Sequence, residues 1–118
     1  MSLTDLITTG KEKFYNLIYQ GATAFPYSSD LMHISLVGSI PFLAGKYGSE
    51  VLGQQIPFFQ EHSTAIGFAS SITAEIVWQG VMEPCSPYDH PQDKISDLKG
   101  IAETGIGAGL AYLLAKVI

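Results

Sequence analysis

The hydrophobic residues of this chain recur at helical spacing in several separate stretches. In the first, residues 1–25, apolar side chains fall three or four positions apart from Leu3 to Ile18, and the charged residues lie off that stripe. This periodicity predicts an amphipathic helix, lying either on a globular surface or in the plane of a membrane interface. Pro26 ends the pattern, and the polar series over residues 28–30 favours the start of a new helix.

Three longer apolar segments follow, at about residues 30–47, 58–82 and 93–117. From Ser63 to Met82 the one ionisable residue is Glu75. A helix that crosses a membrane needs about 20 mostly apolar residues. We therefore predict an all-α fold in which residues 26–118 form a three-helix transmembrane bundle and residues 1–25 form an amphipathic helix at the interface. A compact soluble helical bundle is the competing interpretation.

Composition favours the membrane interpretation. Only 14% of the residues are charged, against about 25% in typical soluble domains, and the mean hydropathy is +0.23. A small domain has proportionally more surface to solvate, so a shortage of charges predicts that part of the surface does not face water. The net charge is −5 and the chain contains no arginine, which argues against nucleic acid as a partner.

Polar residues stand near the ends of the three apolar segments, in pairs three or four positions apart: Asp30 with His33, Glu75 with Gln79, and Asp93 with Asp97. In an up-down-up bundle, the start of the first helix, the end of the second and the start of the third lie on the same side. The three pairs are therefore predicted to share one rim of the bundle. His33 is the natural partner for Glu75. Glu75 lies seven residues before Met82, the end of the second segment, and so about 10 Å below that end at 1.5 Å per residue.

Two roles are open for these residues. Ionisable side chains inside membrane segments are functional candidates by default, because they are costly to insert. Alternatively, Glu75, Gln79 and His33 only tie helices together by hydrogen bonds that contribute about 0.6 kcal/mol each. The two aspartates could also simply cap the third helix and favour its dipole. Lys99 could reach Glu103, four positions later.

Glycines in the third segment are candidates for helix packing. Gly105 and Gly109 are four positions apart, a spacing that lets two helices approach closely in lipid. Gly100 precedes them on the same segment. We expect these three glycines to lie at helix contacts.

The spacing of the polar residues resembles the VanZ-like family of small polytopic membrane proteins and the related YfiM-like proteins. That family shows an Asp-Lys-x-x-His helix opening, a later Glu-x-x-x-Gln, and Asp-x-x-x-Asn-x-x-Gly opening another helix. Here "DLMH" supplies Asp30 and His33, three positions apart where the family spacing is four. "EIVWQ" supplies Glu75 and Gln79, and "DKISDLKG" supplies Asp93, Asp97 and Gly100. Leu31 stands where the family has lysine, and Asp97 where asparagine is common. The resemblance implies an integral membrane protein and attaches no reaction to it.

Three functions are compatible with these patterns. The first is a small membrane protein whose polar rim binds a lipid headgroup or an envelope precursor. The second is an accessory subunit of a larger membrane complex or of a membrane-containing virion, in contact with other subunits or with copies of itself. The third is a soluble helical adaptor.

Chemistry beyond binding has little support in the sequence. No nucleophile motif is present, so we lean against an enzyme. Asp89, His90 and Asp93 have the ligand chemistry for a divalent cation, but a solvated proline-rich loop explains the same residues, so we predict no cofactor. Lysines are weakly asymmetric along the predicted topology, which favours a cytoplasmic N-terminus and polar rim: Lys11, Lys13, Lys94 and Lys99 lie on one side, and Lys46 and Lys116 on the other.

Overall fold

The computed structural model describes residues 2–82 and 94–118. Every regular element in these ranges is helical: α1 (Leu3–Ala22), α2 (Ser28–Met32), a first π-helical segment (His33–Ser39), α3 (Ile40–Leu52), α4 (Pro57–Glu61), α5 (Ser63–Val77), a second π-helical segment (Trp78–Met82) and α6 (Lys94–Val117). The predicted all-α class is confirmed for the described residues. Among them, no single helix combines the length and the apolar character needed to cross a membrane.

Several of these elements join end to end into longer rods. α2, the first π-helical segment and α3 form a central rod over residues 28–52, because the backbone at Met32 and Ser39 stays right-handed helical. α5 and the second π-helical segment form a second rod over residues 63–82, and α6 by itself is the third rod. The central rod continues past the predicted end at residue 47, where Lys46 and Glu50 form an ion pair one turn apart instead of interrupting the helix.

The first π-helical segment ends just before Pro41, which lies in the first turn of α3. Proline has no backbone N–H, and in a regular α-helix its ring clashes with the carbonyl four residues back. In the wider π turn the backbone hydrogen bonds join residues five apart instead of four, which changes the position of that carbonyl relative to the proline ring. Ser71 on the second rod donates its hydroxyl to the Gly38 carbonyl oxygen at 2.6 Å, so the neighbouring rod helps to hold the widened turn.

The central rod is the element on which the others pack. Its α3 half lies against α5, and its π-helical half lies against α6, whereas α5 and α6 meet each other much less. α1 packs against α2, and the Tyr15 hydroxyl donates to the Met82 carbonyl oxygen at 2.6 Å. α1 therefore lies beside the end of the bundle where the second rod finishes.

Close approach of the central rod and α6 depends on glycine. A Cβ added at Gly38 would lie 2.7 Å from the Thr104 carbonyl oxygen, and one added at Gly107 would overlap the Ile34 carbonyl oxygen. Ser39 closes the same crossing by donating its hydroxyl to the Gly107 carbonyl oxygen at 2.7 Å. The crossing is thus a contact between two backbones.

The two glycines of the predicted packing motif lie elsewhere on α6. A Cβ added at Gly105 or at Gly109 would meet no atom of the described residues within 4 Å. Within this chain, close packing of α6 therefore uses Gly107, and Gly100 as described below. Helix packing by Gly105 and Gly109 stays a prediction.

The apolar core is small. It is built on Phe42, which is 0% exposed, with Ala108 and Ala111 from α6. Phe68 and Tyr112 complete it, with ring centroids 4.8 Å and 6.4 Å from that of Phe42. The core joins all three rods, since Phe42 is on α3, Phe68 on α5 and Tyr112 on α6.

Burial in this chain is inverted relative to a water-soluble domain. Among the described residues, five buried side chains are hydrophobic and seven are polar or charged. Large apolar side chains lie on the outside of every rod, for example Leu36 at 50%, Ile76 at 64% and Leu113 at 58% exposure. Soluble proteins bury such side chains far more often than they bury serine, threonine or glutamate.

Replacing Gly107 with alanine should lower the free energy of unfolding by about 1–3 kcal/mol, the usual cost of overpacking. The new methyl group would overlap the Ile34 carbonyl oxygen. Gly109→Ala is the matched control, because its methyl group meets open space and alanine raises helix propensity by up to about 1 kcal/mol. Chemical unfolding followed by circular dichroism measures both variants. Equal stabilities would contradict the close crossing.

Candidate functional site

The candidate site is centred on Glu75, near the end of the second rod. Its side chain is 7% exposed, and its two carboxyl oxygens accept three hydrogen bonds. His33 and Thr104 both donate to Oε2, at 2.6 Å and 2.7 Å. Gln79 donates to Oε1. All three contacts use the carboxyl group as a hydrogen-bond acceptor.

His33 reaches Glu75 from the central rod. It is the first residue of the π-helical segment, and its Nε2 carries the hydrogen in this contact, because the carboxylate is an acceptor. The Trp78 ring meets the imidazole edge-on, with centroids 6.4 Å apart. The pairing of His33 with Glu75 that the sequence predicts is present in the structure. Binding of a ligand by this pair stays a prediction.

Gln79 links the second rod to α6. Its Nε2 donates to Glu75 and also, at 3.0 Å, to the main-chain carbonyl oxygen of Asp97. Both partners are acceptors, so they fix the orientation of the amide with its NH₂ group toward them. Asp97 therefore joins the cluster through its backbone. This hydrogen bond fixes the position of the start of α6 along the axis of the second rod.

Gly100 provides the space in which these side chains meet. A Cβ at this position would lie 2.8 Å from Glu75 Oε1, 3.0 Å from Gln79 Nε2 and 3.2 Å from His33 Nε2. Thr104 follows four residues later on the same face of α6 and is 5% exposed. The absence of a side chain at Gly100 thus lets the cluster close against the α6 backbone.

A second group of charges lies beside the first. Lys99 Nζ is 2.8 Å from Asp30 Oδ1 and 3.9 Å from Glu103 Oε1. Lys99 is thus shared between two carboxyl groups, and its shorter contact is with Asp30.

We call these two groups together the polar end: Asp30, His33, Glu75, Gln79, Lys99, Gly100, Glu103 and Thr104. Four of the six polar residues predicted from the sequence contribute side chains to it, and Asp97 contributes its carbonyl oxygen. Asp93 lies outside the described residues, as do Asp89 and His90. Among the residues that are described, no three acidic, histidine or cysteine side chains are placed to hold a metal ion.

Thr104 and the Asp30–Lys99 pair were not anticipated from the sequence. Thr104 lies four residues after Gly100 and seven after Asp97, so it shares their face of α6. That spacing is the feature of the sequence that points to Thr104. Hydroxyl residues are common in helices, however, and the spacing alone does not indicate that Thr104 faces Glu75.

Both π-helical segments adjoin the polar end. The first begins at His33, and the second contains Gln79. π-Helical turns are rare and frequently mark functional sites, where the wider turn redirects side chains. Here both turns lie where side chains of different rods converge on Glu75.

No family model, curated protein or solved structure matches this chain.

Replacing Thr104 with valine should lower the free energy of unfolding by about 1.5–3 kcal/mol, the range for a hydrogen bond to a charged group. The change keeps the shape of the side chain but removes the hydroxyl that donates to Glu75. Thr73→Val is the matched control, because the exposed Thr73 hydroxyl donates only within its own helix, to Ala69. Chemical unfolding measures both, and equal effects would show that the Thr104 hydroxyl contributes nothing special.

Proposed function

We propose that this protein is a small membrane-embedded protein whose polar end binds the hydroxyl- or amine-bearing head of a membrane amphiphile. The observation that carries the proposal is the inverted burial. Glu75 and Thr104 are each 5% exposed, while isoleucine and leucine side chains on the same rods are more than half exposed. In lipid, exposed isoleucine and leucine side chains are favourable. Buried polar groups there must form hydrogen bonds within the protein, because no water is available.

Small residues at the rod crossings support this placement. Helices in membranes associate through close packing of glycine, alanine and serine and through hydrogen bonds between helices. Here Gly38 and Gly107 bring two backbones together, and Ser39 and Ser71 bond from one rod to the backbone of another. In the proposed arrangement the three rods are embedded in the bilayer, and the polar end lies at one of its aqueous boundaries.

α1 fits a position in the plane of the interface. Its apolar residues stay exposed, with Leu3 at 73% and Leu17 at 70%, although α1 packs against α2. An amphipathic helix of this kind inserts its apolar face at the boundary between headgroups and acyl chains. Lys11 and Lys13 on α1, together with Lys99 at the polar end, favour the cytoplasmic side for this boundary.

The charge and donor pattern supports one chemical class of ligand head. The chain carries a net charge of −5, and the polar end contains three carboxyl groups against one lysine, which is paired with Asp30. An anionic head would be repelled, whereas hydroxyl and amine donors would be attracted. The resemblance to VanZ-like proteins agrees with a membrane protein but attaches no ligand, so the proposal depends on the geometry.

One observation favours a second candidate, an accessory subunit of a membrane assembly. The Glu75 carboxylate already receives donors from all three rods, so it would hold the bundle together without any ligand. In that case the exposed apolar faces would contact other subunits or copies of this chain. Substitution of Glu75 separates the two functions, since only the first assigns a ligand to it.

The membrane placement makes a simple prediction. After expression, the protein should stay in the membrane pellet through an alkaline carbonate wash, because its apolar exterior is in lipid, and it should be released by dodecyl maltoside. Immunoblotting of pellet and supernatant measures this. Recovery in the carbonate supernatant would overturn the membrane placement and would favour a soluble adaptor.

The headgroup assignment is tested by replacing Glu75 with glutamine. Decyl glucoside is titrated onto the protein in lipid nanodiscs, with the fluorescence of Trp78, the single tryptophan of the chain, as the signal. Trp78 lies beside His33. We expect saturable binding that Glu75→Gln weakens by about tenfold or more, as for the loss of a hydrogen bond to a charged group.

Glu50→Gln is the matched control, because Glu50 is a paired carboxylate on the central rod outside the polar end. It should leave the affinity unchanged. Circular dichroism checks that each variant is folded, and Gln79→Met removes a second polar group of the cluster should Glu75→Gln fail to fold. Equal affinities of wild type and folded polar-end variants would overturn headgroup binding and favour the accessory-subunit function.

A further inference from the structure

A groove runs along the outside of the bundle between the second rod and α6. It forms because both helices pack on the central rod more than on each other. Its volume is about 390 Å³, within the range of about 300–1,000 Å³ that small-molecule sites occupy. Gln79 and Phe68 mark its two ends along the second rod, which places them about 16 Å apart at 1.5 Å per residue.

The groove is apolar along most of its length. Its walls are formed by Ile72 and Ile76 on one side and Ile101 on the other, exposed by 59%, 64% and 53%. Gly105 also lines it, and a Cβ added there would have no neighbour within 4 Å in the part of the chain that the structure describes. An apolar trough that extends over about 16 Å suits a hydrocarbon chain better than a charged group.

The polar part of the groove presents acceptors. Glu75, Gln79 and Thr104 line it, and their hydrogens are already used within the protein: both on Gln79 Nε2 in bonds to Glu75 and Asp97, and the Thr104 hydroxyl hydrogen in its bond to Glu75. What these groups still offer is lone pairs, on the Gln79 carbonyl oxygen, the Thr104 oxygen and the Glu75 carboxylate. A ligand head here must therefore supply donors.

We propose that the groove holds the hydrocarbon chain of a single-chain amphiphile whose neutral hydroxyl head donates to Glu75 and Gln79. The proposal rests on the proposed function and narrows its ligand to one chain and one class of head. One continuous groove would contact both parts of the ligand. Its isoleucine side chains would contact the hydrocarbon chain, and Gln79 and Glu75 would accept hydrogen bonds from the head. A fatty acid of the same chain length is disfavoured, because its carboxylate would face the Glu75 carboxylate without a donor.

The test uses 1-monooleoylglycerol carrying a photoreactive diazirine at mid-chain, added to the protein in phosphatidylcholine nanodiscs. After irradiation, mass spectrometry locates the adducts. They should concentrate on residues 68–79 and 101–108 and should be competed by unlabelled 1-monooleoylglycerol. Oleic acid carrying the same diazirine should label these residues at least fivefold less.

Gly105→Leu is the decisive variant, because the leucine side chain fills the groove from an open position. Gly109→Leu is its control on the same helix, also in open space and outside the groove lining. We expect Gly105→Leu to lower groove labelling at least fivefold and Gly109→Leu to leave it within twofold of wild type. Equal labelling of the two variants, or adducts spread evenly over the lipid-facing surface, would overturn the proposal.

The two levels of the proposal fail in different ways. If Gly105→Leu binds and labels like Gly109→Leu while Glu75→Gln still weakens decyl glucoside binding, the groove is wrong and headgroup binding at the polar end stands. If neither Gly105→Leu nor Glu75→Gln changes binding, both are wrong. If the oleic acid probe labels the groove as strongly as the glycerol ester, the chain site stands but the neutral hydroxyl head is wrong.

Discussion

One buried carboxylate fixes the relative positions of the three rods. Transferring an ionised carboxylate out of water costs several kcal/mol unless hydrogen bonds replace its hydration. Glu75 receives those bonds from His33 on the central rod, from Gln79 on its own rod and from Thr104 on α6. Sliding or rotating any rod would remove at least one donor, so the burial of Glu75 constrains rod register more tightly than apolar contacts alone would.

The glycine crossing is what brings those donors within reach. Side chains as short as threonine can bond across a helix pair only if the backbones are close, and Gly38 and Gly107 allow this on one side of Glu75. Gly100 makes the corresponding space directly against the carboxylate. Because the rod contacts are filled by small residues, the large apolar side chains are left on the outside. The inverted burial and the buried cluster therefore have a common cause.

The sequence predicts the helical class and much of the cluster, because both follow from periodicity. Polar pairs three or four positions apart share a helix face, and alternation of helix direction brings the start of one helix beside the end of the next. Those two rules place His33 opposite Glu75. They act on spacing alone and need no knowledge of side-chain geometry.

Other features lie beyond what spacing can decide. In "GIGAG", Gly105 and Gly109 share one face of α6 and Gly107 lies on another, and the pattern does not reveal that Gly107 is the one that meets the central rod. Lys99 lies within reach of both Glu103 and Asp30, and the shorter contact is with Asp30. Likewise, the π-helical turn before Pro41 sets the rotation of His33 relative to α3. Each of these contacts depends on how far a rod is rotated about its own axis. The spacing of residues along the sequence does not fix that rotation.

A cluster whose donor hydrogens are all used in internal hydrogen bonds can still bind a ligand through its acceptors. The number of unused acceptor lone pairs distinguishes a structural link between helices from a binding site. For a purely structural tie, the acceptors would be expected to be matched to the donors and closed off from the surface. Here the Gln79 amide spends both its hydrogens inside the protein while its carbonyl oxygen has no described donor, and Gln79 lines the open groove with Glu75. The same bonds that lock the rods therefore hold unused acceptors in a fixed position. Preorganised acceptors at the end of an apolar trough cost little reorganisation when a donor arrives, which is the physical argument behind the proposed ligand.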